Sequence, residues 1–231
     1  RSCLGSIAHG IYIRCEMRKI TITTSVFALF LLSGTIGTQK YVSSQITSRV
    51  EREMPKASGV RASIPLADLP SNITSDAIKA VIVDINSYFL KENNTNVSLK
   101  ITAKNISKSK PTLIESLEVI ATIPESTIVK SAEFNDARIV GDTLQVSVGP
   151  SGAGTAILNP RYSNSQLYFE IQSVLFMGRE IPASSLPSDL QSQIESRSQR
   201  SLAPPKGLEV QSVSLSSKGL SLQMLGNNVK L

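Results

Sequence analysis

One apolar segment near the N-terminus constrains this chain more than any other feature. Residues 20–37 hold a continuous apolar centre, and Arg18 and Lys19 precede them directly. A basic pair before an apolar helix is typical of a segment that enters a membrane with its N-terminus in the cytoplasm. The sequence therefore predicts that everything after residue 37 lies outside the cytoplasm. The predicted membrane-contacting side chains are Val26, Phe27, Leu29, Phe30, Leu31 and Leu32.

The length of this segment leaves two interpretations open. As a helix, residues 20–37 would extend about 27 Å, which only just spans a hydrocarbon layer of about 30 Å. A cleaved signal peptide and an uncleaved membrane anchor both fit that length. A buried core helix is the third interpretation, and the basic pair disfavours it. A lipoprotein anchor is excluded because Thr35 stands where the lipidated Cys would be required.

Four regions follow from this interpretation, and the charge distribution supports the division. Residues 1–56 carry eight Lys or Arg against three Asp or Glu, whereas residues 57–231 carry sixteen against fifteen. The part after the leader is thus almost neutral, which argues against nucleic-acid binding. The predicted regions are a cytoplasmic segment, 1–19, in which 1–16 resemble an upstream extension before the first Met; a signal peptide or membrane anchor, 20–37; a juxtamembrane helix or linker, 38–56; and an exported domain, 57–231.

The predicted exported domain lacks the residues that most hydrolytic and metal sites need. Cys3, Cys15 and His9 all precede the apolar segment, so residues 57–231 contain neither Cys nor His. This excludes disulfides, a Ser-His-Asp triad, a Cys-His pair and the usual zinc site in that domain. No catalytic residue, metal or cofactor is predicted. Paired carboxylates at Glu115 and Glu118, or at Glu133 and Asp136, fit solvated surface charges better than a hydrolase site, although that alternative stays open.

The remaining pattern is that of an α+β domain with long antiparallel strands. Residues 97–104 alternate between apolar and polar side chains, and so do 167–172; 117–121 repeat the pattern with Ile120 as the exception. Residues 77–90 are apolar and β-branched, which fits a strand or a buried helix. Helices are predicted over 41–53, from Pro124 to Phe134, and over 184–200. The alternation in the strand near the C-terminus changes phase between Val210 and Val213, which predicts a β-bulge.

Such strands can build an ordinary solid core, or they can curl around a helix and leave an elongated apolar cavity. The alternation alone does not distinguish the two. The absence of Trp and the 5% aromatic content argue against a stacking platform for sugars or bases.

The C-terminal segment resembles that of the LmeA-like phospholipid-binding family, a group of exported proteins of actinobacterial cell envelopes. The resemblance rests on a Pro-rich turn into Gly-Leu, a Gly-Leu hairpin, a short apolar last strand and a strand-to-helix junction. The matching residues are Ala203-Pro204-Pro205-Lys206-Gly207-Leu208, Val213, Lys218-Gly219-Leu220, Gly226, Val229, Leu231, and Val174 to Pro182 with Gly178 and Ile181-Pro182. The order of elements matches from about Val60 to the end.

This resemblance implies a tubular lipid-binding fold, in which a long curved antiparallel sheet forms a half-barrel around a helix. It also implies binding of phospholipid, the phosphoinositide type included, and a role in building envelope lipids or lipoglycans in the periplasm. We therefore expect a non-enzymatic lipid-binding or lipid-carrier protein that works at the membrane, with an unidentified envelope protein as a further partner. The alternative is a structural or interaction module with a solid core. The expected lining of the lipid cavity is Leu167, Phe169, Ile171, Val213, Leu215, Leu220 and Leu222.

Overall fold

The computed structural model describes residues 39–65, 68, 72, 75–90, 95–131, 136–149, 152–189, 191–192 and 198–230. The predicted membrane segment, residues 20–37, lies outside the described residues. Within the described ranges, no helix is both long and apolar enough to cross a bilayer.

Strands dominate the structure. Two helices have both ends within the described residues, α1 (Gln39–Glu53) and α2 (Glu125–Ser131), and a short 3₁₀ turn covers Ala183–Ser185. The strands are β1 (Ala57–Ser63), β2 (Ala77–Leu90), β3 (Thr95–Ser107), β4 (Leu113–Ile123), β5 (Arg138–Val140), β6 (Thr143–Val148), β7 (Gly154–Ser163), β8 (Gln166–Phe176), β9 (Arg179–Pro182), β10 (Arg200–Ser201), β11 (Glu209–Ser216) and β12 (Gly219–Lys230).

In the described part of the chain, these strands form two open antiparallel sheets rather than the single long sheet predicted from the sequence. The first sheet has the order β1-β2-β3-β4-β12-β11, and the second has β10-β8-β7-β6-β5 with β9 paired to β8. The chain leaves the first sheet at Pro124, which cannot donate a ladder hydrogen bond, and α2 begins at the next residue. It builds the second sheet and then returns to the first as the β11–β12 hairpin.

Several strand predictions are confirmed. Residues 77–90 form β2, so the alternative of a buried helix is wrong there. Buried and more exposed residues alternate along most of β3, as the sequence pattern indicates. The β11–β12 pairing shifts register between Val210 and Ser212, which places a bulge where the phase change predicted one.

The helix predictions are confirmed in part. The helix predicted over 41–53 is α1, and α2 starts beside Pro124 as expected. In the predicted helix 184–200, residues 188–189, 191–192 and 198 are helical, and 190 and 193–197 lie outside the described residues. Its last residue, Arg200, instead pairs with Leu167 as part of β10.

Helix α1 packs against the first sheet. Ile46, Val50 and Met54 repeat every four residues on one side of the helix, and all three are buried among the side chains of β1 to β4. The Ala62 backbone N–H of the edge strand β1 donates to Thr47 Oγ1 at 3.2 Å. The segment predicted as a linker helix, residues 38–56, thus shares a core with the strands that follow it.

Two apolar cores occupy the described structure, and the β11–β12 hairpin contributes to both. The first core joins α1, β1, β2, β3 and β4 with Leu208, Met224 and Val229. The second core lies on one face of the second sheet, against α2 and the turn end of the hairpin. Its buried members are Ile128, Ala137, Leu144, Val146, Ala156, Leu158, Leu167, Phe169, Ile171, Val174, Leu215 and Leu220.

Candidate lipid-contacting site

The second core brings together most of the residues predicted to contact lipid. Leu167, Phe169 and Ile171 of β8 and Leu215 and Leu220 of the hairpin are buried members of this core. Val213 is partly buried and packs against it. Leu222 is also buried, at 4% exposure, and belongs to neither core. Six of the seven predicted residues therefore lie in or against one apolar cluster.

On β8 the apolar side chains of one face form a continuous row, here called the apolar stripe: the buried Leu167, Phe169, Ile171 and Val174, and the exposed Phe176. The register with β7 shifts at this point, because Ile157 pairs with Ser173 while Leu158 pairs with Ile171. Gln172 is therefore an extra residue, a bulge that moves the inward-facing positions from odd to even numbers. The shift lets the apolar stripe continue from the core to the end of the strand at Phe176.

Neighbouring strands complete this apolar face with small and branched side chains. In register, Ile171 pairs with Leu158, which pairs in turn with Leu144. Val174 pairs with Ala156, which pairs in turn with Val146. At the end of the sheet, Phe176 lies beside Gly154, which pairs in turn with Val148 on β6. β11 packs over β7 on this face. β7 and the β11–β12 hairpin thus cover the middle of the stripe, and Phe176 lies at its exposed end.

The enclosed part of the cluster is closely packed. Leu144, Val146, Ala156 and Leu158 have 0% exposure, and no residue of the second core exceeds 9%. A cavity wide enough for an acyl chain would leave its lining accessible to a water-sized sphere. An acyl chain could thus reach the middle of the stripe only if the side chains of β11, such as Val213 and Leu215, moved away from it.

Polar groups hold the edge of β8 that faces away from β7. The Phe169 backbone N–H donates to Ser198 Oγ at 2.9 Å, and the Ser198 hydroxyl lies 3.4 Å from the Phe169 carbonyl oxygen. Farther along, Ser173 Oγ donates to Glu180 Oε1 of β9 at 2.7 Å. β10, Ser198 and β9 therefore cover this edge in succession, which holds β8 in place.

Two exposed residues at the end of β8 were missed by the sequence reasoning. Phe176 is 42% exposed and Met177 is 84% exposed, and with Val140 they are the large apolar side chains that stand out from the described surface. Gly178, followed by a charged residue, is a turn signal that could have located them. We call Phe176 and Met177 the apolar tip.

The charged groups of the second sheet lie on its exposed surface. Arg161 Nε is 2.6 Å from Glu170 Oε2, and both side chains are about half exposed. The hydrogen bond and the negative charge of Glu170 raise the pKa of Arg161 above its ordinary value. Because a raised pKa keeps a guanidinium charged at every lower pH, Arg161 adds no pH dependence near neutrality.

Two of the carboxylates considered for hydrolysis accept hydrogen bonds from side-chain amides. Glu115 Oε2 accepts a hydrogen bond from Asn105 Nδ2 at 2.7 Å, and Glu118 Oε1 accepts one from Gln223 Nε2 at 2.6 Å. Glu133 lies outside the described residues. Among the described residues, no group of three or more His, Cys, Asp or Glu side chains is arranged to hold a metal ion.

No protein-family model, curated protein or solved structure matches this chain. The resemblance to the LmeA-like family therefore stays a prediction from the C-terminal residues.

Proposed function

We propose that this protein is a non-enzymatic phospholipid-binding or lipid-carrier protein of the cell envelope, working on the outer face of the cytoplasmic membrane. The observation that carries the proposal is the apolar stripe, which runs without a polar residue from the second core to the exposed Phe176. The leader, the absence of His and Cys from residues 57–231 and the family resemblance agree with it. The helix α1 packed on an antiparallel sheet also fits the tubular lipid-binding half-barrel that the resemblance implies.

In this proposal the acyl chain enters at the Phe176 end and lies along the stripe beneath the β11–β12 hairpin. Contact with apolar side chains is worth about 25 cal/mol for each Å² removed from water, so an acyl chain needs no specific headgroup site to bind. Because the cluster is closed, binding requires the hairpin side chains Val213 and Leu215 to shift. The bound phospholipid, the phosphoinositide type included, would hold its headgroup near the apolar tip.

A second candidate is a structural or interaction module of the envelope with a solid core and no ligand. The absence of exposure at Leu144, Val146, Ala156 and Leu158 favours it. Its surface would then dock an unidentified envelope protein.

The substitution Ile171→Trp separates the two candidates. If Val213 and Leu215 shift readily enough to admit an acyl chain, the same shift makes room for the indole, so we expect phospholipid uptake to fall while the thermal midpoint changes little. If the core is solid, the larger side chain overpacks it and destabilises the fold by about 1–3 kcal/mol. Uptake is measured by native mass spectrometry of delipidated full-length protein incubated with phospholipid, and stability by thermal unfolding.

Ile157→Trp is the matched control, since Ile157 lies on the neighbouring strand, pairs with Ser173 and is only partly buried. It should leave both uptake and stability close to the wild-type values. Wild-type protein that takes up no phospholipid in this assay would contradict the proposed function and leave the solid-core module as the better account.

A further inference from the structure

The apolar tip combines two unfavourable features at one residue. Met177 and Gly178 both have positive φ, +49° and +77°, so the β8–β9 connection is a two-residue turn of the type that favours Asn-Gly. Met has a Cβ that crowds the backbone in this conformation, and its side chain is 84% exposed. Neither turn conformation nor core packing accounts for Met here, and such costs are typical of functional positions.

Two stretches of sequence without charged residues meet at the end of the sheet that carries the tip, and Arg179 and Glu180 of β9 are the charges beside them. Residues 147–160 and 171–178 contain no Asp, Glu, Lys or Arg. The pairing of Val148 with Gly154 and of Gly154 with Phe176 brings these two stretches together at one end of the second sheet. Arg179, the residue that pairs with Phe176 across the turn, is the first charge beyond it and is exposed.

The opposite end of the same sheet also exposes an apolar side chain, but charged residues lie next to it. Val140 is 44% exposed there, but it ends β5 directly before the Gly141-Asp142 turn and lies two residues after Arg138. An exposed apolar side chain among charges is an ordinary surface residue. The pairing of β6 with β7 places Val140 and the apolar tip at opposite ends of β6.

We propose that the apolar tip inserts into the interfacial layer of a phospholipid bilayer, with Arg179 contacting headgroup phosphate. The tip is convex, and a bilayer accepts a protruding apolar turn without a shaped pocket. The uncharged strand ends beside it lose little hydration on approaching the interface. The Arg179 guanidinium suits an anionic phosphate, and the neighbouring Glu180 carboxylate accepts a hydrogen bond from Ser173 Oγ. This inference deepens the proposed function and rests on it, since a carrier that binds lipid at the stripe would receive it from the bilayer touched by the tip.

The chain contains no Trp, so a single introduced Trp reports the environment of one position in the full-length protein. Met177→Trp and Phe176→Trp should show a blue-shifted emission with vesicles of phosphatidylcholine and phosphatidylglycerol, and quenching when the phosphatidylcholine is brominated. Val140→Trp is the matched control and should show neither change. This readout distinguishes contact at the tip from binding through residues 20–37, which would leave all three positions alike.

Two further results decide the proposal. Adding Arg179→Gln to the Met177→Trp variant should reduce quenching in the anionic vesicles by about threefold or more, with a smaller effect in phosphatidylcholine alone. Equal quenching at positions 140 and 177, or a blue shift at 177 that depends on protein concentration and needs no vesicles, would overturn insertion. The second result would assign the tip to self-association. Lipid uptake by native mass spectrometry is independent of these signals, so failure of the tip and failure of the proposed function are distinguishable.

Discussion

Replacing Gly219 by Ala is expected to destabilise the protein by roughly 3 kcal/mol or more, because two costs add at this position. Gly219 has φ +121°, a backbone conformation that L side chains rarely adopt. A Cβ there would collide with the carbonyl oxygen of Ile123 and lie 2.9 Å from Pro124 Cα. Both obstacles are backbone atoms at the start of the β4–β12 pairing, so neither can rotate away. The loss is measured as the change in urea midpoint by circular dichroism.

Gly141→Ala is the control for this prediction. Gly141 also has a positive φ, +64°, but no heavy atom lies within 4 Å of the position of its Cβ. Only the conformational cost of about 1–2 kcal/mol should remain. Similar losses for the two variants would mean that the close approach at Ile123 carries no weight in the stability of the fold.

The second large effect is expected from Val50→Asp. Val50 is 1% exposed, and its side chain packs from α1 against the first sheet. A carboxylate there would be buried without a partner, so we expect a loss of several kcal/mol, or unfolding at room temperature. Chemical unfolding of the full-length chain gives the free energy.

The neighbouring residue offers the control for the helix. Glu51 is exposed on the same turn of α1, and Glu51→Gln should change the unfolding free energy by less than about 0.5 kcal/mol. If Val50→Asp is as well tolerated as Glu51→Gln, α1 does not dock on the sheet in solution, and residues 38–56 behave as the linker predicted from the sequence.

The strands could be predicted from the sequence, and their arrangement in two sheets could not. Alternation with a period of two residues shows which face of a strand is buried. The strands β3 and β8 and the bulge near Ser212 could therefore be predicted. The pairing of β4 with β12 joins residues about a hundred positions apart, such as Val119 and Met224. No local pattern carries that information, and the expectation of one curved sheet came from the family resemblance.

The candidate site shows the same division between local and long-range information. Leu167, Phe169 and Ile171 were found because they alternate with polar residues on one strand. Their meeting with Leu215 and Leu220 depends on the crossing of β11 over β7, which the sequence does not reveal. Met177 was missed because turn residues are judged by their polarity, and an apolar residue in a turn is exceptional.

The glycines that carry the family resemblance have a physical meaning in this structure. Gly219 and Gly226 both lie where a Cβ would collide with backbone, in the second case with the carbonyl oxygen of Gly207. A chain that folds in this way needs glycine at both positions, whatever the protein does. This part of the resemblance therefore concerns how the β11–β12 hairpin packs more than which lipid is bound.

The sharing of the β11–β12 hairpin has a consequence for how the molecule comes apart. Leu220 at one end of β12 is buried in the second core, while Met224 and Val229 farther along the same strand are buried in the first. If either core unfolded, one end of β12 would lose its packing contacts while the other end stayed buried. The two sheets are therefore thermodynamically coupled, and the described part of the chain should melt in a single cooperative transition instead of sheet by sheet.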